Sequence, residues 1–268
     1  PTIAFIGGGN MASAIIGGLI HQGHPASQIE VVEPWAEARE ALRKNYGIEA
    51  QAEAGPALQR AQIVVWAVKP QTFKDAAAQA KAHTQGALHL SVAAGIRSDS
   101  IAQWLGTERI VRTMPNTPAL VGKGMSALYA RPAVSAPERQ SIEAIMATTG
   151  EFLWVDSEPQ LDAVTALSGS GPAYVFYFLE AMTRAGTGMG LTEQQAHQLA
   201  VGTFVGASEL ARRSDDPPSV LRQRVTSKGG TTYAALQSME AAGVAASFEA
   251  AMRAAQHRAH ELGDEFGA

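Results

Sequence analysis

The sequence of 268 residues contains no cysteine, and its charges are few and nearly balanced. Without cysteine there is no disulfide, no thiolate nucleophile and no cysteine-bound metal, and the composition is compatible with a reducing compartment. Lys and Arg number 21 against 25 Asp and Glu, which gives a formal net charge of -4. The Lys and Arg residues form no basic run, so the composition does not favour a nucleic-acid-binding protein.

Long apolar runs are also missing. The most apolar window, residues 163–182, is interrupted by "SGSGP" and contains Glu180, so it falls short of the roughly 20 apolar residues that cross a bilayer. The first residues lack a basic segment followed by an apolar stretch and a small-residue cleavage site. We therefore expect a soluble, cytoplasmic protein without a signal peptide.

Seven short β-branched or apolar runs, separated by helical patterns, fill residues 2–157: "TIAFIG", "IEVVEP", "AQIVVWAV", "ALHLSVAA", "ERIVRTMPN", "MSALYA" and "EFLWVD". This alternation predicts an α/β fold with a Rossmann-type, doubly wound and mostly parallel sheet. From residue 160 onward apolar residues recur at helical spacing without a convincing strand. We predict a dinucleotide-binding domain over residues 1–158 and an all-helical dimerisation and substrate domain over residues 159–268.

Within the helical part, glycine and proline mark the expected helix boundaries. Gly188, Gly190 and Gly243 are predicted to end helices, and the "SDDPP" stretch at residues 214–218 is predicted to stop one helix and start the next.

A glycine-rich turn, "FIGGGNMA" at residues 5–12, lies between the first predicted strand and a predicted helix. Gly7, Gly9 and Ala12 fit the G-x-G-x-x-G/A pattern, whose small residues let a dinucleotide pyrophosphate approach the free N–H groups at the helix N-terminus. The alternative is a tight turn without a ligand. The candidate cofactor-binding residues here are Gly7, Gly8, Gly9, Asn10, Met11 and Ala12.

Glu33 ends the second predicted strand, about 20 residues past this turn. A carboxylate at that position can accept both ribose hydroxyls and would repel a 2′-phosphate, so Glu33 favours NADH. Two alternatives stay open: Glu33 opens a surface turn with Pro34, or Arg39 approaches a phosphate.

A second glycine motif, "SKGGTT" at residues 227–232, precedes another apolar-periodic helix. Its free backbone N–H groups predict a pocket for a small anion such as a carboxylate. The alternative for Thr232 is an ordinary helix cap.

Taken together, six strings in this order resemble the Δ1-pyrroline-5-carboxylate reductase family over essentially the whole chain: "FIGGGNMA", "AVKPQ", "SVAAGI", "RTMPNTPALVGKG", "ALSGSGPAYVFYFLEAM" and "RVTSKGGTT". That family reduces the cyclic imine of pyrroline-5-carboxylate to L-proline with NADPH or NADH, the last step of proline biosynthesis. The resemblance implies an oxidoreductase with the same substrate and cofactor.

The resemblance also implies site residues in the first domain. Ala67, Val68, Lys69 and Pro70 would line the groove from adenosine to nicotinamide, with a solvated loop lysine as the alternative for Lys69. Ala93, Ala94 and Gly95 would flank the nicotinamide end. Between Pro115 and Pro118, the amide of Asn116 can donate and accept near the nicotinamide carboxamide or the substrate, unless the turn is purely structural.

For the substrate, the resemblance implies that Ser227, Gly230 and Thr231 bind the carboxylate and that the Thr232 hydroxyl contacts the ring nitrogen. Glu158 matches a position that lies near the substrate in that family. Because an iminium is already electrophilic, placement of the two reactants should matter more than a strong acid. We predict no covalent nucleophile and no metal, with Thr232 or a held water as the hydrogen-bond partner of nitrogen.

The family forms interlocked homodimers through the helical domain, often assembled into larger rings such as a decamer, with the "SKGGTT" loop meeting the cofactor domain of the neighbouring subunit. Apolar stretches on more than one face of the helical part also predict oligomerisation.

Two alternative functions stay open: a related imine or β-hydroxyacid reductase, and a non-catalytic dinucleotide sensor. Against the β-hydroxyacid reductase, "EAMTRAGTGMGL" lacks the lysine that β-hydroxyacid dehydrogenases use.

Overall fold

The computed structural model describes residues 1–267 and contains one sheet followed by helices. The strands are β1 (Ile3–Ile6), β2 (Ile29–Val32), β3 (Ile63–Trp66), β4 (Leu88–Ser91), β5 (Ile110–Met114), β6 (Gly124–Ala130) and β7 (Gly150–Trp154). The α-helices are α1 (Asn10–His21), α2 (Ala36–Tyr46), α3 (Pro70–Ala80), α4 (Ser98–Leu105), α5 (Ala136–Ala147), α6 (Gln160–Val164), α7 (Gly171–Gly188), α8 (Glu193–Arg213), α9 (Pro218–Arg224), α10 (Thr231–Ala241) and α11 (Val244–Phe266).

The seven strands form one sheet in the order β2-β1-β3-β4-β5-β6-β7. Neighbouring strands are parallel except β5 and β6, which are antiparallel. The predicted Rossmann-type, mostly parallel sheet is therefore confirmed. Each strand falls on its predicted run, with β6 and β7 starting one residue earlier.

The strand order reverses at β1, because the chain leaves β1 for β2 on one side and returns to β3 on the other. At this switch point the strands end in register: Ile6 pairs with Val32 and with Trp66, and Trp66 pairs with Ser91. The loops that follow β1, β2, β3 and β4 therefore start at the same carboxyl edge, where open α/β sheets bind ligands.

The sheet is covered on both faces, which explains why β1 and β3 are apolar along their whole length. One apolar cluster includes Ile15 and Ile16 of α1 and Met146 of α5. A second cluster, which includes Phe73 of α3 and Ile101 of α4, contains the alternate residues of β1 and β3.

The remainder of the chain is helical, as predicted, and no strand occurs in residues 160–267. Helix α7 ends at Gly188, Gly243 separates α10 from α11, and α8 stops at Arg213 before α9 begins at Pro218. Thr192 and Gln195 form a capping box that starts α8. Within the described residues no helix is both long and apolar enough to cross a membrane.

The chain divides into two compact units. The first unit contains Pro1–Pro172 and the chain from Ala254 onward; the second contains Ala173–Arg253. Residues just beyond the predicted boundary at 158 belong to the first unit because Leu161 is buried there, and the end of α11 belongs to it with Ala259 and Gly263 buried.

Candidate active site

The glycine-rich turn after β1 is shaped by a close approach of two loops. Gly7 has φ +98°, and its N–H donates to the carbonyl oxygen of Val32 at 2.8 Å. A Cβ on Gly7 would lie 2.3 Å from the carbonyl oxygen of Ala67. Only glycine fits this position, so the turn is fixed directly against the loop that follows β3.

Helix α1 starts at Asn10 with Gly9 as its N-cap, and no side chain caps it. A Cβ on Gly9 would meet no atom within 4 Å, so this side of the turn is open. Gly9 and Asn10 are exposed, Met11 is half-buried, and Gly8 and Ala12 are buried. The uncapped N–H groups and the open face fit a pyrophosphate, while Ala12 serves the packing of α1 on the sheet.

Glu33 turns its carboxylate back toward this turn. Oε1 accepts from the N–H of Gly8 at 3.1 Å, and Oε2 accepts from the N–H of Trp35 at 3.0 Å. The Arg39 guanidinium donates to the carbonyl oxygens of Glu33 and Pro34 at 2.9 and 2.7 Å. The structure thus brings Glu33 beside the predicted pyrophosphate site and ties Arg39 to the backbone of the same turn.

The loops after β3 and β4 complete this edge of the sheet. Lys69 is the exposed N-cap of α3, Pro70 is its first residue, and Ala67 and Val68 before them are half-buried. After β4, the N–H of Ala93 donates to Oγ of Ser91 at 3.2 Å. Ala94, which follows, is half-buried, and Gly95 has φ +78°.

Asn116 lies past the end of β5, and its amide is engaged by backbone partners. Oδ1 accepts from the N–H of Met125 at 2.9 Å, and Nδ2 donates to the carbonyl oxygen of Ser168 at 3.0 Å. These bonds support the structural interpretation of the turn.

Glu158 belongs to a polar network that no sequence motif predicts. Its carboxylate accepts from the N–H and Oγ of Ser98, both at 2.5 Å, and from Nη1 of Arg112 at 2.8 Å. Arg131 also donates to the Ser98 hydroxyl, at 3.0 Å. Burial raises the pKa of the neighbouring Asp162 carboxyl, although Arg112 and His260 oppose the shift.

Arg112 is 5% exposed in the middle of β5. A charged residue in an apolar strand needs a buried partner, so "RIVRTM" carried a signal for this network. Its partner Glu158 lies 46 residues away in sequence, and Ser98, which binds the same carboxylate, lies 60 residues from Glu158. These separations are too large for a local motif to identify the network.

In the second unit, the "SKGGTT" motif forms the turn that starts α10. Gly229 has φ +76°, and the N–H of Gly230 donates to the carbonyl oxygen of Ser227 at 2.9 Å. Gly230 is the N-cap and no side chain caps the helix, so Thr232 lies in the first turn and is not the capping residue. Ser227, Thr231 and Thr232 are exposed around the uncapped N–H groups.

Comparison with known proteins assigns the family. Pyrroline-5-carboxylate reductase of Pseudomonas aeruginosa is 45% identical to this chain, in an alignment that covers 100% of the chain and 98% of that protein. The chain belongs to the pyrroline-5-carboxylate reductase family. The family pattern described as "Pyrroline-5-carboxylate reductase dimerisation" matches residues 158–262, and "NADP oxidoreductase coenzyme F420-dependent" matches residues 2–95.

Two solved structures of this family resemble the chain over nearly its full length. The reductase of Coxiella burnetii has a TM-score of 0.89 and 37% identity, covering 97% of this chain and 98% of that one. The Plasmodium falciparum enzyme, solved with NADP bound, has a TM-score of 0.89 and 27% identity, covering 98% of both chains.

Proposed function

We propose that this chain catalyses the NAD(P)H-dependent reduction of the imine of 1-pyrroline-5-carboxylate to L-proline, the last step of proline biosynthesis. The observation that carries the proposal is the family relation over the whole chain, at 45% identity to a pyrroline-5-carboxylate reductase. An uncapped glycine turn at the switch point of the sheet is the feature that dinucleotide binding uses, which supports the proposed cofactor.

The cofactor site is proposed at the carboxyl edge of β1 to β4. The open N-terminus of α1 would hold the pyrophosphate, because its N–H groups and helix dipole favour an anion. The loop after β3 would line the groove toward nicotinamide, and the loop after β4 would flank the ring. The proposed residues are Gly7, Gly8, Gly9, Asn10, Met11, Ala12, Glu33, Ala67, Val68, Lys69, Pro70, Ala93, Ala94, Gly95 and Asn116.

The hydrogen bond from Gly8 to Glu33 supports a preference for NADH, because it holds a negative charge beside the ribose position. The two hydrogen bonds of Arg39 to carbonyl groups both use Nη1 and place its guanidinium at the same turn, so its approach to a 2′-phosphate is the alternative that a preference for NADPH would support.

The substrate carboxylate is proposed to bind the uncapped start of α10, through Ser227 and the backbone of Gly230 and Thr231. The Thr232 hydroxyl then faces the ring nitrogen as the proposed catalytic residue. Glu158 is the weakest member of the proposed substrate set, because its carboxylate already accepts three hydrogen bonds from Ser98 and Arg112.

When bound, NAD(P)H supplies the hydride that the imine carbon accepts. In the proposed dimer, the α10 turn of one subunit holds the carboxylate beside the cofactor domain of its partner. Thr232, or a water that it holds, makes the hydrogen bond to nitrogen. Because the C=N bond of an iminium is already electrophilic, orientation supplies most of the rate enhancement, and no covalent nucleophile or metal is required.

The proposed assembly is a homodimer formed through a helical domain of residues 159–268, with residues 1–158 as the dinucleotide-binding domain. The dimerisation match at residues 158–262 supports the first statement, and the match to an NADP oxidoreductase pattern at residues 2–95 supports the second. Many large apolar side chains of the second unit are exposed, as an interface requires: Val175, Phe176, Tyr177, Met182, Met189, Leu191, Leu199, Val205, Leu210, Val225, Tyr233, Met239 and Val244. Mass measurement in solution would distinguish a dimer from a larger ring such as a decamer.

We also propose a cytoplasmic location, because a chain without cysteine suits a reducing compartment.

The experiment is an initial-rate assay with pyrroline-5-carboxylate, following the loss of reduced nicotinamide absorbance with NADH and NADPH at matched concentrations. Turnover favouring NADH supports both the reaction and the role of Glu33. Turnover favouring NADPH keeps the reaction and refutes that role. Tight dinucleotide binding without turnover would refute the proposed reaction in favour of another imine substrate or a sensor.

A further inference from the structure

The last helix touches the loop that follows β4, within the first compact unit. Gly95 has φ +78°, and a Cβ there would lie 2.7 Å from Cβ of Leu262 and 2.9 Å from the carbonyl oxygen of Ala259. From the other side, a Cβ on Gly263 would lie 2.7 Å from the carbonyl oxygen of Gly95. Two glycines therefore allow a backbone contact that no larger residue permits.

Glycine inside a helix costs up to about 1 kcal/mol relative to alanine. Gly263 is such a residue, in the last turn of α11, and it is buried. The close approach to Gly95 is a specific reason for its presence, because any side chain would push the helix away from the loop.

Polar contacts hold the same two segments together. Nη2 of Arg97 donates to the carbonyl oxygen of His260 at 3.1 Å and pairs with Asp264 at 2.8 Å. Oγ of Ser100 donates to the carbonyl oxygen of Gly267 at 2.7 Å. Arg97 immediately precedes α4, so these bonds fix the point where the loop enters its helix.

The loop is also anchored to the sheet by the network of Glu158. This carboxylate binds the first N–H of α4, at Ser98, and the buried Arg112 of β5. The segment from Ala93 to Arg97 is thus held by the sheet on one side and by the end of α11 on the other.

We propose that residues 259–267, which are the end of the last helix and the residue after it, form with Arg97 a positioning element that sets the place of the nicotinamide ring. This rests on the proposed function, in which Ala93–Gly95 flank that ring. None of these helix residues is assigned to touch substrate or cofactor; they act through the loop. Because hydride transfer is sensitive to errors of about 1 Å in placement, a loosened loop lowers the rate of the chemical step.

Two variants test the proposal on the full-length protein. Gly263→Ala adds a methyl group against Gly95, and Arg97→Gln removes the ion pair while leaving the backbone unchanged; Arg97→Lys is the conservative variant. His257→Ala, at an exposed position of the same helix that makes none of these contacts, is the matched control. Thermal melting and solution mass verify that each variant is folded and assembled.

Three quantities are measured: kcat with pyrroline-5-carboxylate, the Kd of the reduced dinucleotide, and the Kd of ADP-ribose, which lacks the nicotinamide ring. We expect kcat to fall about tenfold or more in Gly263→Ala and Arg97→Gln, with an ADP-ribose Kd within about twofold of wild type. Arg97→Lys should recover part of kcat, and His257→Ala should match wild type.

Unchanged kcat and dinucleotide Kd in folded variants would overturn the proposal. So would an equal loss of affinity for ADP-ribose and for the whole dinucleotide, because that indicates general damage to the cofactor site. If Gly263→Ala fails to fold, Arg97→Gln decides. If wild type itself does not turn over the imine, the proposed function fails, and a selective loss of dinucleotide affinity over ADP-ribose affinity still decides for or against the positioning element.

Discussion

The buried histidine of β4 should make the protein less stable in mild acid. His89 is 1% exposed, and its Nδ1 accepts a hydrogen bond from Nε1 of Trp66 at 3.0 Å. Burial, and to a smaller extent the charge of Arg109, lowers the pKa of His89 from 6.5 to about 4. The imidazole is therefore neutral in the folded protein throughout the range in which an unfolded histidine becomes charged.

Proton binding determines whether the free energy of unfolding rises or falls with pH. Above pH 6.5 neither state binds a proton at this residue, so the residue has no effect on the pH dependence. Between pH 6.5 and about 4 the unfolded chain binds a proton that the folded protein does not, and the free energy of unfolding falls by about 1.4 kcal/mol per pH unit. The total loss approaches about 3 kcal/mol, a large part of the 5–15 kcal/mol typical of a domain.

The perturbation is His89→Gln, which keeps an acceptor for Trp66 and cannot become charged. Urea unfolding, followed by circular dichroism between pH 7.5 and 4.5 at one protein concentration, gives the free energy of unfolding of each protein. Wild type should lose about 2–3 kcal/mol more than the variant over this range. The control is His21→Gln, whose histidine is exposed at the end of α1 and whose slope should match wild type. Parallel pH slopes for wild type and His89→Gln would refute the reasoning.

Three further predictions concern the site. Gly7→Ala should lower the free energy of unfolding by at least about 1–2 kcal/mol and raise the KM for NADH, because the added Cβ meets the Ala67 carbonyl. Gly9→Ala, at an open position, should raise the KM for NADH and leave the free energy of unfolding unchanged. Equal losses of melting temperature in the two variants would contradict this difference. Glu158→Gln should cost about 3 kcal/mol in urea unfolding because the buried Arg112 loses the carboxylate that accepts its hydrogen bond, whereas a neutral effect would show that the pair is not needed. Thr232→Val should lower kcat about tenfold to a hundredfold without changing the melting temperature, because the side chain is exposed; wild-type kcat would exclude its hydrogen bond to nitrogen.

Local sequence patterns were sufficient to predict the seven strands, the helical character of residues 160–267 and the two glycine turns. Each of these depends on neighbours within a few residues: apolar periodicity, glycine at a positive φ, and proline at a helix start. The predicted cofactor residues also fell on one edge of the sheet, since parallel strands end together when their order is known.

Tertiary contacts decided what no local pattern could. The amide of Asn116 meets the backbone of Ser168, 52 residues away, and its role near the nicotinamide stays a prediction. The carboxylate of Glu158, which is predicted to lie near the substrate, accepts from Ser98 and Arg112, 60 and 46 residues away. The end of α11 packs on the loop after β4, and Arg97 meets His260 at a separation of 163 residues. Several acceptors in the chain could satisfy a buried arginine or an amide equally well, and only the folded packing selects one of them, because it fixes which distant segments lie within hydrogen-bonding distance.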